Sequence, residues 1–307
     1  MIHVKEIAYV RYSAPDLDAM QEFLIDFGLQ PAARTADRLY MRAAGPAPFV
    51  HVTERGDIKS VGLGLVAVSE GDLHKLAAQF RAEVKDNPEP GRGKIVTIRD
   101  IEGYQVDVVH GMSPLEPIPV RKPIPLNVSN EPVRFGRTKA LEPGPSHLIK
   151  IGHVVLKGPN FPAQLDFYRN VFGFQISDSY FAQNEKNMIA AFMHCGLGKD
   201  YTDHHSLALI ADAKAVIEHS AYEVIDWDDL IVGNAHLASK GYKHSWGVGR
   251  HIYGRQIFDY WRDPFGNKLE HETDGDLVNE DYVPDHRHIS AEELSQWGPP
   301  LNPDFMA

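Results

Sequence analysis

The chain holds 16 histidines among 307 residues, most of them in its second half, within an otherwise ordinary composition. Three side chains there could act together. His153, His219 and Glu270 each lie in a strand-like apolar segment, where alternation turns every second side chain inward. Two neutral imidazoles and one carboxylate are a ligand set for a divalent first-row ion such as Fe(II). The carboxylate offsets part of the metal charge, and three protein ligands leave neighbouring coordination positions open to small molecules. A lone strand histidine is ordinarily a core or surface residue, so the weight rests on the three occurring together.

The elements that must position them form an internal repeat. Ile7-Ala8-Tyr9-Val10-Arg11 resembles Ile151-Gly152-His153-Val154-Val155 at an offset of 144. Each segment is followed by an amphipathic helix that begins at a proline. Leu17, Met20, Phe23, Leu24 and Phe27 make the apolar stripe of the first, and Leu165, Tyr168, Val171 and Phe172 that of the second. Gly28 and Gly173 close them, as expected for the left-handed residue after a helix. The stretch from Gly62 to Leu73 then matches His219 to Leu230 at an offset of 157. Arg99-Asp100 with Gly103 to Asp107 matches Arg262-Asp263 with Gly266 to Glu270 at 163. A growing offset over an unchanged order is what loop insertions in a second copy produce. In this alignment His153 answers to Tyr9, His219 to Gly62 and Glu270 to Asp107, so the histidine and glutamate set belongs to one copy only.

Strand, helix and then several strands per copy predict an α+β fold of two tandem βαβββ-type modules, with helices packed on largely antiparallel sheets. The expected organisation is a module over residues 1–112, a linker over 113–147, a second module over 148–274 carrying the site, and a tail over 275–307 packing near it. Eight of the 21 prolines lie in residues 111–148, which marks the connector. In the tail, Ser290-Ala291-Glu292-Glu293 predicts a capping box and a short helix ending near Gly298-Pro299. Asp263-Pro264-Phe265-Gly266 predicts a tight turn. A plain hairpin would set Tyr260 opposite Leu269, whereas one bulged residue sets it opposite Glu270. Alternation then puts Glu270 and Glu272 on one face and Leu269 with His271 on the other.

Composition narrows the partners. A charge of −11 argues against nucleic acid or an anionic membrane as the main partner, and no apolar run approaches the roughly 20 residues of a membrane helix. With 43% hydrophobic and 24% charged residues and one cysteine, the expected class is a soluble cytoplasmic protein without disulfides. Cys195 reads as a small buried hydrophobe, His236 and His244 as structural, and His286 and His288 as surface residues. Trp246 suits either the core or a pocket wall. Gly196-Leu197-Gly198-Lys199 lacks the spacing and the hydroxyl of a phosphate-binding loop.

Two modules with a metal set only in the second resemble the type I extradiol ring-cleaving dioxygenases of the vicinal oxygen chelate superfamily. The resemblance spans nearly the whole chain. The family's I-G-H strand matches His153, its H-x-x-x-E-V strand matches His219 with Glu223 and Val224, and its carboxylate four residues after the glycine of D-P-x-G matches Glu270. A paired histidine followed by a hydroxylated residue, Leu and Ala matches His204-His205-Ser206-Leu207-Ala208, with His205 14 residues before His219. The family's further His and Tyr, 19 and 10 residues before the carboxylate, match His251 and Tyr260. Two departures bear on the substrate: Gly254 stands where many relatives have Asp or Asn, and the segment from Gly196 to His204 is longer. The resemblance implies a cytoplasmic homo-oligomer holding Fe(II), or Mn(II) on the same ligands, through His153, His219 and Glu270. It implies a small aromatic diol and O2 as reactants and a muconic semialdehyde-type product. His205 would be the acid–base group beside the oxygen, with His251 and Tyr260 orienting the substrate oxygen. The same scaffold also serves glyoxalase-type isomerases or lyases and metal-free proteins that sequester aromatic drugs.

Overall fold

The computed structural model describes residues 1–129, 131–136, 140–290, 292 and 294–305. The N-terminal half runs β1 (Val4–Ala14), α1 (Leu17–Phe27), β2 (Gln30–Arg34), β3 (Arg38–Arg42), β4 (His51–Arg55), β5 (Lys59–Ala67), α2 (Glu70–Phe80), β6 (Lys85–Asp86), β7 (Lys94–Arg99) and β8 (Gln105–His110). The C-terminal half repeats the order with β9 (Leu148–Gly158), α3 (Phe161–Phe172), β10 (Gln175–Phe181), β11 (Met188–His194), β12 (Thr202–Asp203), β13 (Leu207–Ala211), β14 (Val216–Val224), α4 (Trp227–Ser239), β15 (Lys243–His251), β16 (Ile257–Arg262) and β17 (Lys268–Thr273). The tail adds β18 (Leu277–Val278), β19 (Asp285–His288) and β20 (Ser295–Trp297). Each half therefore holds two strand–helix–strands units, and the fold is α+β. Among the described residues no helix is long and apolar enough to cross a membrane.

The first sheet has the order β2-β3-β4-β1-β5-β8-β7-β6, and the second contains β10-β11-β13-β9-β14-β17-β16-β15 in the matching order. The ladders reproduce the three sequence offsets. Tyr9 pairs with Gly64 as His153 pairs with Ala221, and Gly64 pairs with Asp107 as Ala221 pairs with Glu270. The helix ends obey the expected chemistry. Asp16 accepts the amides of Asp18 and Ala19 at the start of α1, and Gly28 and Gly173 adopt left-handed backbone at the ends of α1 and α3.

One apolar core runs through both halves, from Phe23 and Phe27 to Tyr222, Leu230 and Trp261. Polar pairs stitch the halves where that core is deepest. His51 Nδ1 lies 2.8 Å from the Tyr222 hydroxyl, Tyr12 donates to Ser220, and His271 Nε2 donates to the carbonyl of Phe27 at 2.7 Å. Burial pushes His51 down to about 3, so it takes part as a neutral ring.

Two sequence expectations meet the tail and the turn differently. Asp263 N donates to the carbonyl of Asn267 across a three-residue loop in which Gly266 has φ +89°, and Tyr260 pairs with Glu270 as the bulged alternative requires. The helix expected from Ser290 to near Gly298 does not include Ser295–Trp297. Ser295–Trp297 is instead β20, paired with the outer edge of β15. An unpaired strand edge offers that backbone partners at once, whereas one helical turn must be nucleated at a loss. Ala291 and Glu293 lie outside the described residues.

In the N-terminal sheet, the positions answering to the histidine and glutamate set are closed by charge. Arg11, 2% exposed, donates to Glu89, Asp107 and Glu54, and the Tyr9 hydroxyl donates to Asp107 at 3.0 Å. Replacing Arg11 by Met leaves buried carboxylates without a counter-charge. The expected loss is about 3–5 kcal/mol of stability, read as a lowered midpoint in urea unfolding; an unchanged midpoint would show that the network contributes nothing.

Candidate metal centre

Three adjacent strands carry the set, since β9, β14 and β17 are consecutive in the sheet. Ala221 sits in register between His153 and Glu270, and His219, two residues earlier on β14, faces the same side. Nε2 of His153 lies 3.0 Å from Nε2 of His219, and each lies 3.2 Å from Oε2 of Glu270. All three residues are buried. Glu270 has no exposed surface, and neither of its oxygens receives a hydrogen bond. Atoms about 2.1 Å from one divalent ion and at right angles to each other stand about 3.0 Å apart. The spacing, the donor types and the bare carboxylate fit such a cation.

The outer nitrogen of His219 is hydrogen-bonded and that of His153 faces a carboxylate at ion-pair distance, so Nε2 of each is the atom turned inward. Nδ1 of His219 donates to Glu218, whose other oxygen accepts from Lys268 Nζ. Lys268 also donates to the carbonyl of Phe305 at 2.6 Å and lies 3.5 Å from the centre of its ring. Burial would push the Glu218 carboxyl up, yet His219 and Lys268 hold it well below the usual range. Nδ1 of His153 is 3.2 Å from Oε2 of Glu272. Burial opposes a charge on His153, but Glu272 and Glu270 together raise it to about 10, a measure of how strongly this pocket favours a positive centre. Gly152 makes the approach of Glu272 feasible, because a Cβ there would stand 1.7 Å from Glu272 Oε1.

The remaining expected residues surround the same point. The ring of His205 lies against that of His153, with centroids 4.2 Å apart. Burial first, and the nearby His153 and His204 after it, lower the pKa of His205 well below the usual histidine value. Nδ1 of His251 donates to the carbonyl of Leu294 at 2.9 Å, so its Nε2 accepts from the Tyr260 hydroxyl at 2.8 Å. Burial and the adjacent Glu270 raise Tyr260 well above its ordinary value, which keeps it a donor.

Glu218, Lys268 and Glu272 complete the site without having been singled out from the sequence. The adjacency of Glu218 to His219, and of Glu272 on the face of Glu270, were the available signals. Residues expected to be structural are so placed. His236 pairs with Asp26 and His244 with Asp259, both through Nε2, and His271 stacks on Phe27. Trp246 is buried between Phe258 and Phe305 and donates to the carbonyl of Pro299, so it belongs to the seat of the tail. Cys195 is buried, and burial pushes its thiol up to about 12. His286 and His288 are exposed on β19. Lys199 pairs with Glu280 and Asp281 of the tail.

Residues 150–271 match the family model described as the Glyoxalase/Bleomycin resistance protein/Dioxygenase superfamily. The chain is 30% identical over 310 residues to Metapyrocatechase 2 of Cupriavidus necator, covering 99% of this chain and 92% of that one. It is 26% identical over 318 residues to the Iron-dependent extradiol dioxygenase of Rhodococcus jostii (strain RHA1), covering 96% of each. Among solved structures, the Mn(II)-bound glyoxalase from Novosphingobium aromaticivorans shares the fold. Its TM-score is 0.80 at 24% identity, over 100% of this chain and 95% of that one. Fold and site together define a vicinal-oxygen-chelate protein with one armed module. The chain belongs to the type I extradiol ring-cleaving dioxygenases of that superfamily, and is a metal-dependent enzyme of the catechol 2,3-dioxygenase type.

Replacing Gly152 by Ala displaces the flexible end of Glu272 rather than backbone. The variant is expected to fold normally and to lose about 10–100-fold in affinity for a divalent ion, measured by competition with a chelator. Unchanged affinity would remove Glu272 from the support of His153.

Proposed function

We propose that the enzyme holds Fe(II) on His153, His219 and Glu270 and opens the ring of a catechol-type aromatic with O2. One C–C bond beside the diol breaks, both oxygen atoms are retained, and a muconic semialdehyde-type product forms without an external reductant. The observation that carries the reading is the convergence of two inward Nε2 atoms on a buried carboxylate that has no hydrogen-bond donor. Iron rather than manganese is favoured by the likeness to the iron-dependent extradiol dioxygenase of Rhodococcus jostii. When bound, the ion would supply Lewis acidity toward the diol and the electrons needed to engage O2.

The chain's own residues supply the proton chemistry and the positioning. A neutral His205 can take a proton from a diol and later return one to a cleaving oxygen. Tyr260, held protonated, can exchange its hydrogen bond to His251 for one to a substrate oxygen on the Glu270 side, and the tail carbonyl of Leu294 fixes the orientation of His251. Phe192, its ring 5.0 Å from that of His205 and inclined by 74°, packs beside Tyr253 and makes that side of the site apolar. An isomerase of the glyoxalase type would draw ligands from both modules. Here Tyr9, Gly62 and Asp107 supply one carboxylate, and Arg11 already holds it.

This reading takes residues 1–112 as a supporting module, 113–147 as linker, 148–274 as the catalytic module and 275–307 as a tail over the site. It places the enzyme in the cytoplasm as a homo-oligomer, for which light scattering is the direct check. The decisive experiment is anaerobic loading with Fe(II), addition of a panel of catechols, and admission of air. Oxygen uptake with a yellow ring-opened product is expected, and no uptake with any diol at full iron occupancy would overturn the proposal. His153→Ala, His219→Ala and Glu270→Ala should each abolish tight iron binding, so a near-normal iron content in any of them counts against the ligand set. His205→Ala should keep its iron and lose about 10²–10⁴ in turnover; unchanged turnover would exclude it from the chemistry.

A further inference from the structure

A second chain of buried groups ends on His205 from the side away from the metal ligands. Asp178, on β10 and 1% exposed, accepts three hydrogen bonds. His204 Nε2 donates to its Oδ2 at 2.7 Å, the Tyr282 hydroxyl to the same oxygen at 3.0 Å, and the backbone N–H of Asp285 to Oδ1 at 2.6 Å. A carboxylate receiving these donors only accepts, so the proton of His204 resides on Nε2 and its Nδ1 is a bare lone pair. That lone pair stands 3.1 Å from Nδ1 of His205. Two lone pairs do not face one another at this distance inside a protein. His205 must therefore carry its proton on Nδ1 and donate it to His204, which leaves Nε2 bare.

Gln256 stands beside the same Nδ1 atom. Its side-chain amide lies 3.5 Å from Nδ1 of His205, while its Oε1 is buried without a partner. The His204 contact requires the other end of this amide, of nearly the same shape, to face His205, so that its oxygen accepts from Nδ1–H. Gly254, the departure from the family pattern, is what admits this arrangement. It has φ +68°, and a Cβ there would stand 2.9 Å from His204 Nδ1 and 2.4 Å from Gln256 Oε1.

We propose that Asp178 and His204, anchored by Tyr282 and Asp285 of the tail, are positioning residues that fix the tautomer of His205 with Nε2 unprotonated. The inference rests on His205 being the acid–base group of ring cleavage. It adds the reason why that imidazole is set to accept a proton first rather than to give one. Nε2, on the opposite edge of the ring from His204, makes no hydrogen bond to the protein among the described residues.

The direct test is 15N NMR of the full chain loaded with Zn(II), a diamagnetic ion that the same ligands accept, with His205 assigned by substitution. The expected spectrum has a protonated Nδ1 and a bare Nε2 on His205; the opposite tautomer in the unsubstituted protein overturns the proposal. In Asp178→Asn the fixed N–H of Asp285 holds the amide oxygen at the Oδ1 position and turns the NH2 toward His204. Both imidazoles should then invert, so that His205 carries its proton on Nε2. With Fe(II) loaded, that variant should lose about 10²-fold in kcat, with unchanged iron content and unchanged KM for the diol. Inverted tautomers with unchanged kcat would overturn the positioning role. Should Asp178→Asn fail to fold, the spectrum of the unsubstituted protein still decides the tautomer. Absence of ring cleavage by the unsubstituted iron-loaded enzyme overturns the functional reading, and with it the role, while the NMR result stands on its own.

Discussion

A carboxylate without exposed surface and without a hydrogen-bond donor is among the least favourable groups a fold can bury, and Glu270 is such a group. Its position makes sense only with positive charge at the point where His153 and His219 also converge. Much of the C-terminal half follows from that requirement. Strands β9, β14 and β17 must be adjacent and in one register, with Glu272 facing the outer nitrogen of His153 and Glu218 accepting from that of His219. The second carboxylate in turn is balanced by Lys268. The centre is thus a layered arrangement of charges, alternating in sign from the expected ion outward to the carbonyl of Phe305.

The N-terminal half meets the same problem with a covalent solution. Its sheet has the same strand order and the same ladder registers, and its Asp107 occupies the place of Glu270. There the positive charge belongs to Arg11, a side chain that is part of the fold and never dissociates. One strand geometry therefore appears in two forms. In one the counter-charge is built in and the module is a fixed support; in the other it must come from solution and can do chemistry.

The sequence made the repeat, the ligand positions and the turn between Tyr260 and Glu270 legible, because each depends on local period or on a turn with characteristic residues. Asp263, Pro264 and Gly266 marked the turn of a hairpin and left two registers, of which the structure has the one with Tyr260 opposite Glu270. The offset between copies sufficed to show which copy held the histidines. Asp178, Glu218, Lys268 and Gly152 were not legible as functional residues. Their importance comes from partners distant in the chain, 26 residues apart for Asp178 and His204 and 50 for Lys268 and Glu218, or from space that a glycine leaves open. The tail misled for a related reason. Ser290 and the glutamates after it carry a helical start signal, but the free edge of β15 lies beyond any sequence window and decides the outcome for Ser295–Trp297.

The glycine that answers to His219 has an evolutionary consequence. At Gly62 a Cβ would stand 1.9 Å from the carbonyl oxygen of Gln105, which is backbone and cannot rotate aside. Strands β5 and β8 have closed together over the space an imidazole stem would need. A histidine at this position is therefore barred by main chain rather than by side-chain chemistry. Installing the missing histidine would first demand that two central strands separate, so the asymmetry between the halves behaves as a ratchet.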